Sequence, residues 1–385
     1  MADPKTVLIL GGGVGGLVAG NRLRRALPAP HRVVLVEREA AHVFAPSLLW
    51  LMVGARTLPS ISRSLERLKR KGIDVVRGEV EAIDPARKRI VAAGQVLEGD
   101  YVIVALGAEF CPGAVPGLAE GGHTFCTPAG AVALRGALTE FEGGRLLILT
   151  AAPAYECPAA PYEAAMLIEA DLRRRRLRDR VQIEMFAAEP GPMGVAGPEV
   201  SRAVRAMVES VDIAYYPEHQ VVTVDPDARR ASFSNGVEAD YDLLVYAPGH
   251  RSPRAVVEAG LAGESGGVSV DPHTLATRFE GVYAIGDVTT IPLKLGKPLP
   301  KAGVFAHAQA EVVARSIARA VTGRGQVAEF DGHGECFVET GGGRAGFGSG
   351  DFYADPSPRV TLRRPSRFWH AGKVLLEKTW LWRWF

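Results

Sequence analysis

The stretch TVLILGGGVGG at residues 6–16 decides the fold of this 385-residue chain. A continuous run of β-branched and aliphatic residues is typical of a strand that is buried on both faces of a parallel sheet. The glycine-rich turn leads into a helical pattern over residues 17–27, and a second strand pattern follows at residues 32–36. The sequence therefore begins with a predicted βαβ unit.

The glycines of this turn have the spacing G-x-G-x-x-G. Gly11 permits the tight turn, Gly13 lets the backbone approach a pyrophosphate, and Gly16 lets the helix pack closely on the strand. The start of the helix supplies amide groups for the phosphates. Glu37 lies 21 residues beyond Gly16, at the end of the second strand, where it can accept hydrogen bonds from ribose hydroxyls. Together these features predict a dinucleotide site.

A second motif favours FAD over NAD as the dinucleotide. Gly286 and Asp287 follow a predicted strand at residues 281–285 and resemble the second fingerprint of flavoproteins with two dinucleotide domains, where the Asp binds the ribityl chain. Such proteins also carry two crossings from strand to loop. The matching segments here are Ala105-Leu-Gly107 and Ala247-Pro-Gly249. The predicted cofactor is therefore FAD.

A second βα unit starts with the strand pattern at residues 145–150. An NADH-binding unit needs another glycine-rich turn after such a strand, because a pyrophosphate requires close approach of the backbone. The turn over residues 151–163 contains three prolines and no glycine. The sequence predicts a domain that keeps the Rossmann frame without the phosphate site, so nicotinamide is not the expected electron donor.

The alternation of short strands and helices predicts an α/β fold with two Rossmann-like dinucleotide-binding domains. The predicted FAD domain comprises residues 1–112 and 239–326 and is interrupted by the second Rossmann-like domain at residues 113–238. Residues 327–385, which contain Gly-rich and Pro-rich stretches, form a separate C-terminal region.

Composition excludes several other classes of protein. Hydrophobic residues make up 47% and charged residues 23%, and the net charge of +2 gives nucleic acid no general reason to bind. Four cysteines are too few for a disulfide scaffold, and none forms a Cys-x-x-Cys pair, so no metal site is predicted. No secretion signal is recognised at the start, which predicts a protein on the cytoplasmic side.

The C-terminal tail combines aromatic and basic residues. Residues 351–385 contain seven Lys and Arg against three Asp and Glu, and they include Trp369, Trp380, Trp382 and Trp384. Tryptophan and basic side chains favour the headgroup region of a membrane, so we expect a peripheral segment that lies on a membrane surface. A helix that docks on the core or on a sister subunit is the alternative, and a homo-oligomer is compatible with the sequence.

Several short motifs, taken in order, resemble those of the sulfide:quinone oxidoreductase family over nearly the whole chain. They are Cys126-Thr, Cys157-x5-Glu163, Pro300-Lys301-Ala-Gly303-Val-Phe-Ala-His307, Cys336-Phe337-x-Glu and Gly372-Lys373-x3-Glu377-Lys378. The resemblance implies a peripheral membrane flavoenzyme with FAD as cofactor. Its expected reaction is the oxidation of sulfide to polysulfide or elemental sulfur, with two electrons passed to a quinone.

The resemblance also assigns roles to the cysteines. Cys157 and Cys336, 179 residues apart, are expected to flank the flavin as a redox pair and to carry a growing sulfur chain. Such a pair can hold sulfur as a persulfide while a flavin takes the electrons. Cys126 resembles the family's third cysteine, which assists sulfur relay or attaches the flavin covalently in some members. Cys111 is expected to be a small buried hydrophobe.

Two further residues are assigned to protons and to the flavin. Glu163 resembles the family's acid near the quinone and the active cysteine, where it would handle protons. Lys301 precedes a predicted helix over residues 302–320. The lysine charge and the amides at this helix start, Gly303 among them, would stabilise reduced flavin. His307, within the helix, is assigned to packing.

The expected quinone site lies in the C-terminal region. Lys373 resembles the family lysine that donates a hydrogen bond to a quinone oxygen, and Phe337, Phe368 or Trp369 would supply an aromatic wall. The family's common aromatic clamp, three residues after this lysine, is here Leu376.

Gly130 is a second departure, because family members often carry a histidine at this position, and it concerns the handling of protons. The main alternative is a type II NADH:quinone dehydrogenase or another FAD-dependent oxidoreductase of the same fold. A flavocytochrome-type sulfide dehydrogenase would need export and a haem partner. A non-catalytic redox sensor would leave the three matched cysteines unexplained.

Overall fold

The computed structural model of the chain describes residues 3–152 and 155–385, so Pro153 and Ala154 of the predicted glycine-free turn lie outside the described residues. The strands are β1 Thr6–Leu10, β2 Arg32–Glu37, β3 Ala41–Val43, β4 Ser62–Ser64, β5 Asp74–Arg77, β6 Val80–Asp84, β7 Arg89–Ala92, β8 Gln95–Glu98, β9 Tyr101–Val104, β10 Glu109–Phe110, β11 His123–Thr124, β12 Gly144–Thr150, β13 Val181–Ala187, β14 Ile213–Tyr216, β15 Val221–Asp225, β16 Arg230–Phe233, β17 Glu238–Asp240, β18 Leu243–Ala247, β19 His250–Arg251, β20 Val282–Ala284, β21 His333–Gly341, β22 Arg344–Asp351 and β23 Arg359–Ser366. The helices are α1 Val14–Ala26, α2 Leu48–Met52, α3 Leu118–Gly121, α4 Pro128–Glu140, α5 Ala160–Arg174, α6 Pro198–Glu209, α7 Arg254–Glu258, α8 Gly303–Thr322 and α9 Arg367–Arg383.

The first sheet is parallel and has the order β20-β9-β1-β2-β5. After its first residue, every residue of β1 is buried, which confirms the prediction from the apolar run. From β1 the chain continues to β2 and β5 on one side of the sheet, and it later returns to β9 and β20 on the other side. Ligands of doubly wound sheets bind at such a switch point, and the glycine-rich turn lies there.

The second sheet repeats this arrangement with the order β11-β18-β12-β13-β14. The α/β architecture with two Rossmann-like sheets is therefore confirmed. β18 is hydrogen-bonded to β12 in the second sheet, although residues 239–326 were assigned to the first domain. The domain boundaries stay a prediction.

Two helices on the first sheet, α1 and α8, both start beside the glycine-rich turn. α1 and α8 pack against each other over their lengths and bury their apolar faces in one core. α8 ends at Gly323, whose φ of +70° is the left-handed conformation that terminates many helices. The predicted helix over residues 302–320 is thus confirmed within two residues at each end.

The C-terminal region consists of an antiparallel sheet, β21-β22-β23, followed by α9. β21 packs on α5 of the second Rossmann-like unit, while α9 packs across β22 and β21. The side chain of Ser366 caps α9 by accepting a hydrogen bond from the Trp369 N–H at 3.3 Å. This region thereby brings Cys336 and Lys373 onto the second unit.

The tail is divided between the core and the surface. Trp380 and Trp384 are buried in the core shared by α1 and α8, with Trp384 only 1% exposed. The expectation that the tail tryptophans face a membrane is therefore wrong for these two, because the apolar groove beside α1 already covers them. Trp382 and Phe368 remain 80% and 72% exposed. Within residues 3–152 and 155–385, no helix has the length and hydropathy that crossing a membrane requires.

His42 joins α9 to the glycine-rich turn. Its Nδ1 donates to the Gly12 carbonyl at 3.0 Å, and its Nε2 accepts from the indole N–H of Trp380 at 3.1 Å. A carbonyl only accepts and an indole only donates, so these contacts fix the neutral tautomer with the proton on Nδ1. Burial lowers the pKa of His42 to about 4.

We expect the protein to lose stability as the pH falls from 6.5, the ordinary pKa of histidine, to about 4. In this interval the unfolded chain binds a proton at His42 and the folded protein does not, so acid favours unfolding, by about 3 kcal/mol at the lower limit. Denaturant unfolding of the wild type and of His42→Gln measures this contribution. The stability difference between the two proteins should shrink by that amount between pH 7 and pH 4, and an unchanged difference would contradict the prediction.

Candidate active site

The glycine-rich turn lines a cavity of about 290 Å³ at the carboxyl ends of the first sheet. Several residues predicted to bind the cofactor line it, namely Gly11, Gly13, Glu37, Ala105 and Gly107. Glu79 and Arg254 complete the wall on the side away from the turn. The cavity therefore has the position that the βαβ motif predicts for a dinucleotide.

Contacts of the glycines test whether this cavity fits a dinucleotide. A Cβ on Gly11 would lie 2.3 Å from the Ala105 carbonyl oxygen, and one on Gly16 would lie 1.8 Å from the Gly11 carbonyl oxygen. Gly13 differs, because its Cβ would have no atom of the described residues within 4 Å. The backbone thus packs tightly at two glycines and stays open at the third, as pyrophosphate binding requires.

Glu37 is held at the edge of the same cavity. Its Oε2 accepts a hydrogen bond from the Gly12 N–H at 2.6 Å, and its Oε1 accepts from the Glu39 N–H at 2.8 Å. These contacts fix the carboxylate at the end of β2, where a ribose would come within reach. The residues present therefore fit the ADP half of FAD.

The second fingerprint follows β20. Gly286 has a φ of +73°, and burial raises the pKa of Asp287 to about 6. The Lys301 ammonium donates to the carbonyl oxygens of Asp287 and Thr289, and burial lowers its pKa. A Cβ on Gly303 would lie 3.3 Å from Val14, so the starts of α8 and α1 are adjacent. The predicted flavin residues are therefore neighbours, while their contacts with the cofactor stay a prediction.

Cys157 precedes α5 in a left-handed conformation with a φ of +52°, which is uncommon for a residue with a side chain. Its N–H donates to the Lys301 carbonyl at 2.8 Å, and its own carbonyl accepts from the Ala160 N–H at 2.8 Å. These bonds hold the strained residue against the segment that carries the second fingerprint. Strain of this kind is concentrated at functional sites.

Cys336 lies on β21, and both cysteines line one small apolar cavity of about 60 Å³. Alternate residues of a strand face opposite sides, and Gly334 and Val338 share the cavity face with Cys336. Both sulfurs belong to free thiols in this structure. The fold therefore brings together the two cysteines that the sequence places 179 residues apart.

Both thiols hold their protons firmly. Burial raises the pKa of Cys336 to about 12, and the charge of Glu163 adds to the effect. Burial also raises the pKa of Cys157 well above its ordinary value, with Cys336 and Glu163 adding to it and Lys373 opposing it. The thiolate is the nucleophilic form, and burial favours the protonated form of both cysteines.

Cys126 is absent from the residues that line this small cavity in the described part of the chain. Its N–H donates to Thr124 Oγ1 at 3.1 Å, and burial raises its pKa to about 12. A Cβ on Gly130 would lie 2.5 Å from the Thr124 carbonyl oxygen, so the start of α4 leaves no room for a histidine there. The role of Cys126 stays a prediction.

Glu163 and Lys373 form a buried ion pair on α5 and α9. Lys373 Nζ donates to Glu163 Oε1 at 2.6 Å, and the same oxygen accepts from the Glu339 N–H at 2.8 Å. Burial alone would lower the pKa of Lys373, but the carboxylates of Glu163 and Glu339 outweigh it, so the pKa is raised. The lysine is therefore charged, and one of its three donors is directed at Glu163.

Residues 5–311 match the family described as pyridine nucleotide-disulphide oxidoreductase. This match covers most of the chain, including both Rossmann-like sheets and Cys157. The chain belongs to the pyridine nucleotide-disulphide oxidoreductase family. The family assignment and the fit of the glycine-rich cavity make the protein an FAD-dependent oxidoreductase.

Two relatives carry similar names. The sulfide-quinone reductase of Aquifex aeolicus is 26% identical, with 98% of this chain and 91% of the relative aligned. The mitochondrial sulfide:quinone oxidoreductase of Mus musculus is 25% identical over 91% of this chain and 79% of the relative.

The crystal structure of the sulfide:quinone oxidoreductase from Aquifex aeolicus superposes with a TM-score of 0.90 at 25% identity, over 99% of this chain and 91% of that chain. The fold that the sequence motifs imply is thereby confirmed. Type II NADH:quinone oxidoreductase NdhA of Mycobacterium tuberculosis is also related, at 24% identity over 74% of this chain and 66% of the relative.

The family is named for a pyridine nucleotide. In the second unit, however, a cluster of hydroxyl groups surrounds Glu189, the counterpart of the predicted ribose ligand Glu37. Glu189 follows β13 as Glu37 ends β2. Its Oε1 accepts from the hydroxyls of Tyr155 and Tyr162, and its Oε2 accepts from Thr150 Oγ1 at 2.7 Å. The acid that would hold a ribose is thus already hydrogen-bonded within the protein.

Three residues to which the sequence analysis assigned no role of their own surround Lys373, although Glu339 belongs to the motif Cys336-Phe337-x-Glu. Glu339 is buried at 1% exposure and accepts from His370 Nδ1 at 3.0 Å. The Trp50 ring lies 5.3 Å from Lys373 Nζ and 5.8 Å from the His370 ring. Only Glu339 carried a signal, because a glutamate in an otherwise apolar strand pattern close to Cys336 calls for a buried partner.

The aromatic residues predicted for the quinone form a row. Phe337 packs on Phe347 with ring centroids 5.1 Å apart, Phe347 stacks on Trp369 at 4.4 Å, and Trp369 meets Phe368 at 4.9 Å. The row runs from the exposed Phe368 to Phe337, which lies against Gly372 beside Lys373. The predicted residues are connected in space, and their contact with a quinone stays a prediction.

Proposed function

We propose that the protein oxidises sulfide at Cys157 and Cys336 and passes two electrons through FAD to a quinone. The observation that carries this proposal is the shared apolar cavity of the two cysteines, next to the buried pair Glu163–Lys373. The names of the relatives from Aquifex aeolicus and Mus musculus support the same substrates.

The high pKa of both thiols favours one order of events. The protein begins with a disulfide between the two cysteines, and the hydrosulfide ion is the nucleophile. Its attack forms an S–S bond to one cysteine, giving a persulfide, and breaks the old S–S bond, so that the other sulfur leaves with the electron pair. A sulfur with such a high proton affinity then takes up a proton readily.

The flavin supplies the redox chemistry, since bound FAD accepts an electron pair and passes it on. The chain's own residues keep the two substrates apart. Cys336 and Val338 face the sulfur cavity, whereas Phe337 and Glu339 lie on the opposite face of β21. The apolar lining of the cavity suits a neutral sulfur chain.

The quinone would enter along the aromatic row. Lys373 has two N–H donors besides the one directed at Glu163, and its charge would stabilise the negative oxygen of a quinone that accepts electrons. Because Phe368 lies at the surface and Phe337 beside the lysine helix, the row supplies an apolar path between them.

Type II NADH:quinone dehydrogenase activity is the second candidate, and the hydroxyl cluster disfavours it. An incoming nucleotide would have to displace Tyr155 and Tyr162 from the Glu189 carboxylate, and burial raises the pKa of both phenols. Breaking such charge-assisted hydrogen bonds in a buried site is costly.

Anaerobic titration of the yellow protein tests the proposal. Sodium sulfide should bleach the flavin absorbance, and added decylubiquinone should restore it. NADH at the same concentration should leave the spectrum unchanged. Bleaching by NADH with no response to sulfide would instead support the dehydrogenase.

We further propose that α9 rests on an anionic membrane surface. Phe368, Leu375, Leu376 and Trp382 are exposed along one side of the helix, and positions 368, 375 and 382 recur at a spacing of seven. The only acidic residue in α9, Glu377, is buried, while the exposed charges of the helix are basic. Apolar side chains bordered by basic residues favour anionic lipid headgroups.

Replacing Phe368, Leu375 and Trp382 together by serine should weaken binding to anionic vesicles at least about tenfold. Cosedimentation with phosphatidylserine-containing vesicles measures the effect. A triple serine variant of Val222, Val257 and Val327, which are also exposed (45%, 54% and 66%) but lie outside α9, serves as the control. Equal vesicle binding by the two variants would refute the membrane role of α9.

A further inference from the structure

We propose that His370 and Glu339 form the path by which a proton from solvent reaches Glu163 and Lys373, and through them the reduced quinone. The inference rests on the proposed function and adds two residues to it. The geometry that carries it is the contact of a partly exposed imidazole with a buried carboxylate, that of Glu339, whose own backbone is bonded to the buried ion pair.

The reaction requires one proton from outside in each turnover. Oxidation of a hydrosulfide ion to the level of elemental sulfur releases two electrons and one proton. The quinone takes up two electrons and two protons when it becomes a quinol. The proton from sulfide covers half of this demand, so the buried site must obtain the other proton from water.

The contacts provide a route for that proton. The His370 side chain is 30% exposed, and its Nδ1 lies 3.0 Å from Glu339 Oε2 and 3.1 Å from Oε1. The Glu339 carboxylate lies close enough to Lys373 to raise the pKa of that lysine. The backbone N–H of Glu339 holds Glu163 in place by donating to Oε1, the oxygen that also accepts from Lys373 Nζ. Three elements, α9, β21 and α5, thus contribute to one connected cluster.

The charges in the cluster favour proton uptake. Glu163 and Glu339 supply two carboxyl groups against the single buried ammonium of Lys373. Burial raises the pKa of Glu339, although Lys373 and His370 oppose the shift. An additional proton on the Glu339–His370 pair therefore neutralises the carboxylate charge that Lys373 does not balance. This proton is the one available for transfer.

The transfer is balanced at each step. His370 gains a proton from water at its exposed edge and gives the proton on Nδ1 to Glu339. Lys373 gives a proton to the reduced quinone oxygen and regains the proton that Glu339 has received, so Glu339 becomes a carboxylate again. After both steps the histidine, the two carboxylates and the lysine have the charges they started with.

His370 itself contacts the carboxylate of Glu339 on β21 and the ring of Trp50. The other ionisable groups of the cluster are Glu163 on α5, Lys373 on α9 and Arg56, which lies 4.5 Å from the Trp50 ring. The two cations lie near Trp50 and the two carboxylates lie towards β21. A pH profile that depends on His370 therefore reports on this whole set.

The test uses the complete FAD-loaded protein, reduced by dithionite and mixed with decylubiquinone in a stopped-flow instrument. In His370→Ala, flavin reoxidation should be slowed at least about tenfold, because a positioned proton donor is lost. Added imidazole should restore the rate of this variant. In Glu339→Gln, which keeps the shape of the side chain, reoxidation should be equally slow and imidazole should have no effect.

His333→Ala is the matched control, because His333 pairs with Glu335 on the same strand at 3.7 Å but at the surface. Its rate and pH profile should equal those of the wild type. A His370→Ala variant as fast as the control at every pH, or imidazole acceleration of all proteins alike, would overturn the relay. Failure of sulfide to reduce the wild-type flavin would instead refute the proposed function, since the dithionite experiment does not depend on sulfide.

Discussion

Replacing Cys157 or Cys336 by serine is expected to lower sulfide-dependent quinone reduction at least about a thousandfold, while FAD remains bound. A serine hydroxyl cannot form the disulfide that hydrosulfide attacks, and the partner cysteine alone cannot hold the sulfur. Both side chains line an apolar cavity, and serine is the closest replacement in volume. We therefore expect the loss to appear in the chemistry and not in folding.

Measuring flavin reduction by sulfide and flavin reoxidation by quinone separately shows which of the two steps the serine variants affect. Sulfide should fail to bleach the flavin in either variant, whereas decylubiquinone should reoxidise the dithionite-reduced protein at the normal rate. Cys111→Ser is the control, because Cys111 Sγ contacts only the Glu109 carbonyl, at 3.5 Å, among the hydrogen bonds of the described chain. Near-normal turnover in either cavity variant would exclude the redox pair.

The second large effect is on stability, at the ion pair Glu163–Lys373. Lys373→Met should lower the free energy of unfolding by about 3–5 kcal/mol, because it leaves a buried carboxylate without its partner. The double variant Glu163→Gln with Lys373→Met should recover most of this loss, since an uncharged pair of similar size no longer carries a desolvated charge.

Denaturant unfolding of the wild type, Glu163→Gln, Lys373→Met and the double variant gives a double-mutant cycle, which measures the interaction energy of this pair. Arg32→Met is the control, because Arg32 and Asp74 form an ion pair of similar length, 2.8 Å, that is exposed. Its loss should cost less than about 1 kcal/mol. If Lys373→Met costs no more than this control, the buried pair does not stabilise the fold.

Local patterns predicted the parts of the molecule that depend on local rules. The apolar run of β1 and the spacing of Gly11, Gly13 and Gly16 fixed the first unit, because tight turns and buried strands have strong residue preferences. The missing glycines after β12 likewise indicated the altered second unit. In both cases one short segment contained the whole signal.

Contacts between distant segments were not predictable in this way. Trp384 was predicted to lie at a membrane, because composition alone does not show which apolar groove of the fold a tryptophan fills. No local pattern indicated the roles of Glu189 and His370. In a sequence, an exposed glutamate or histidine cannot be distinguished from one that is hydrogen-bonded within a buried cluster. Their roles depend on Tyr155 and Glu339, which the fold brings next to them from 34 and 31 residues away.

The contact of Trp384 with the first helix has a consequence for biosynthesis. The Trp384 carbonyl accepts from Asn21 Nδ2 at 3.2 Å, and Trp380 reaches the glycine-rich turn through His42. A nascent chain on the ribosome cannot make these contacts until translation of this segment is finished and the segment has left the exit tunnel. The glycine-rich turn therefore acquires its final packing only after residues 380–384 have emerged from the ribosome, and stalled chains ending before Trp380 would leave it incomplete.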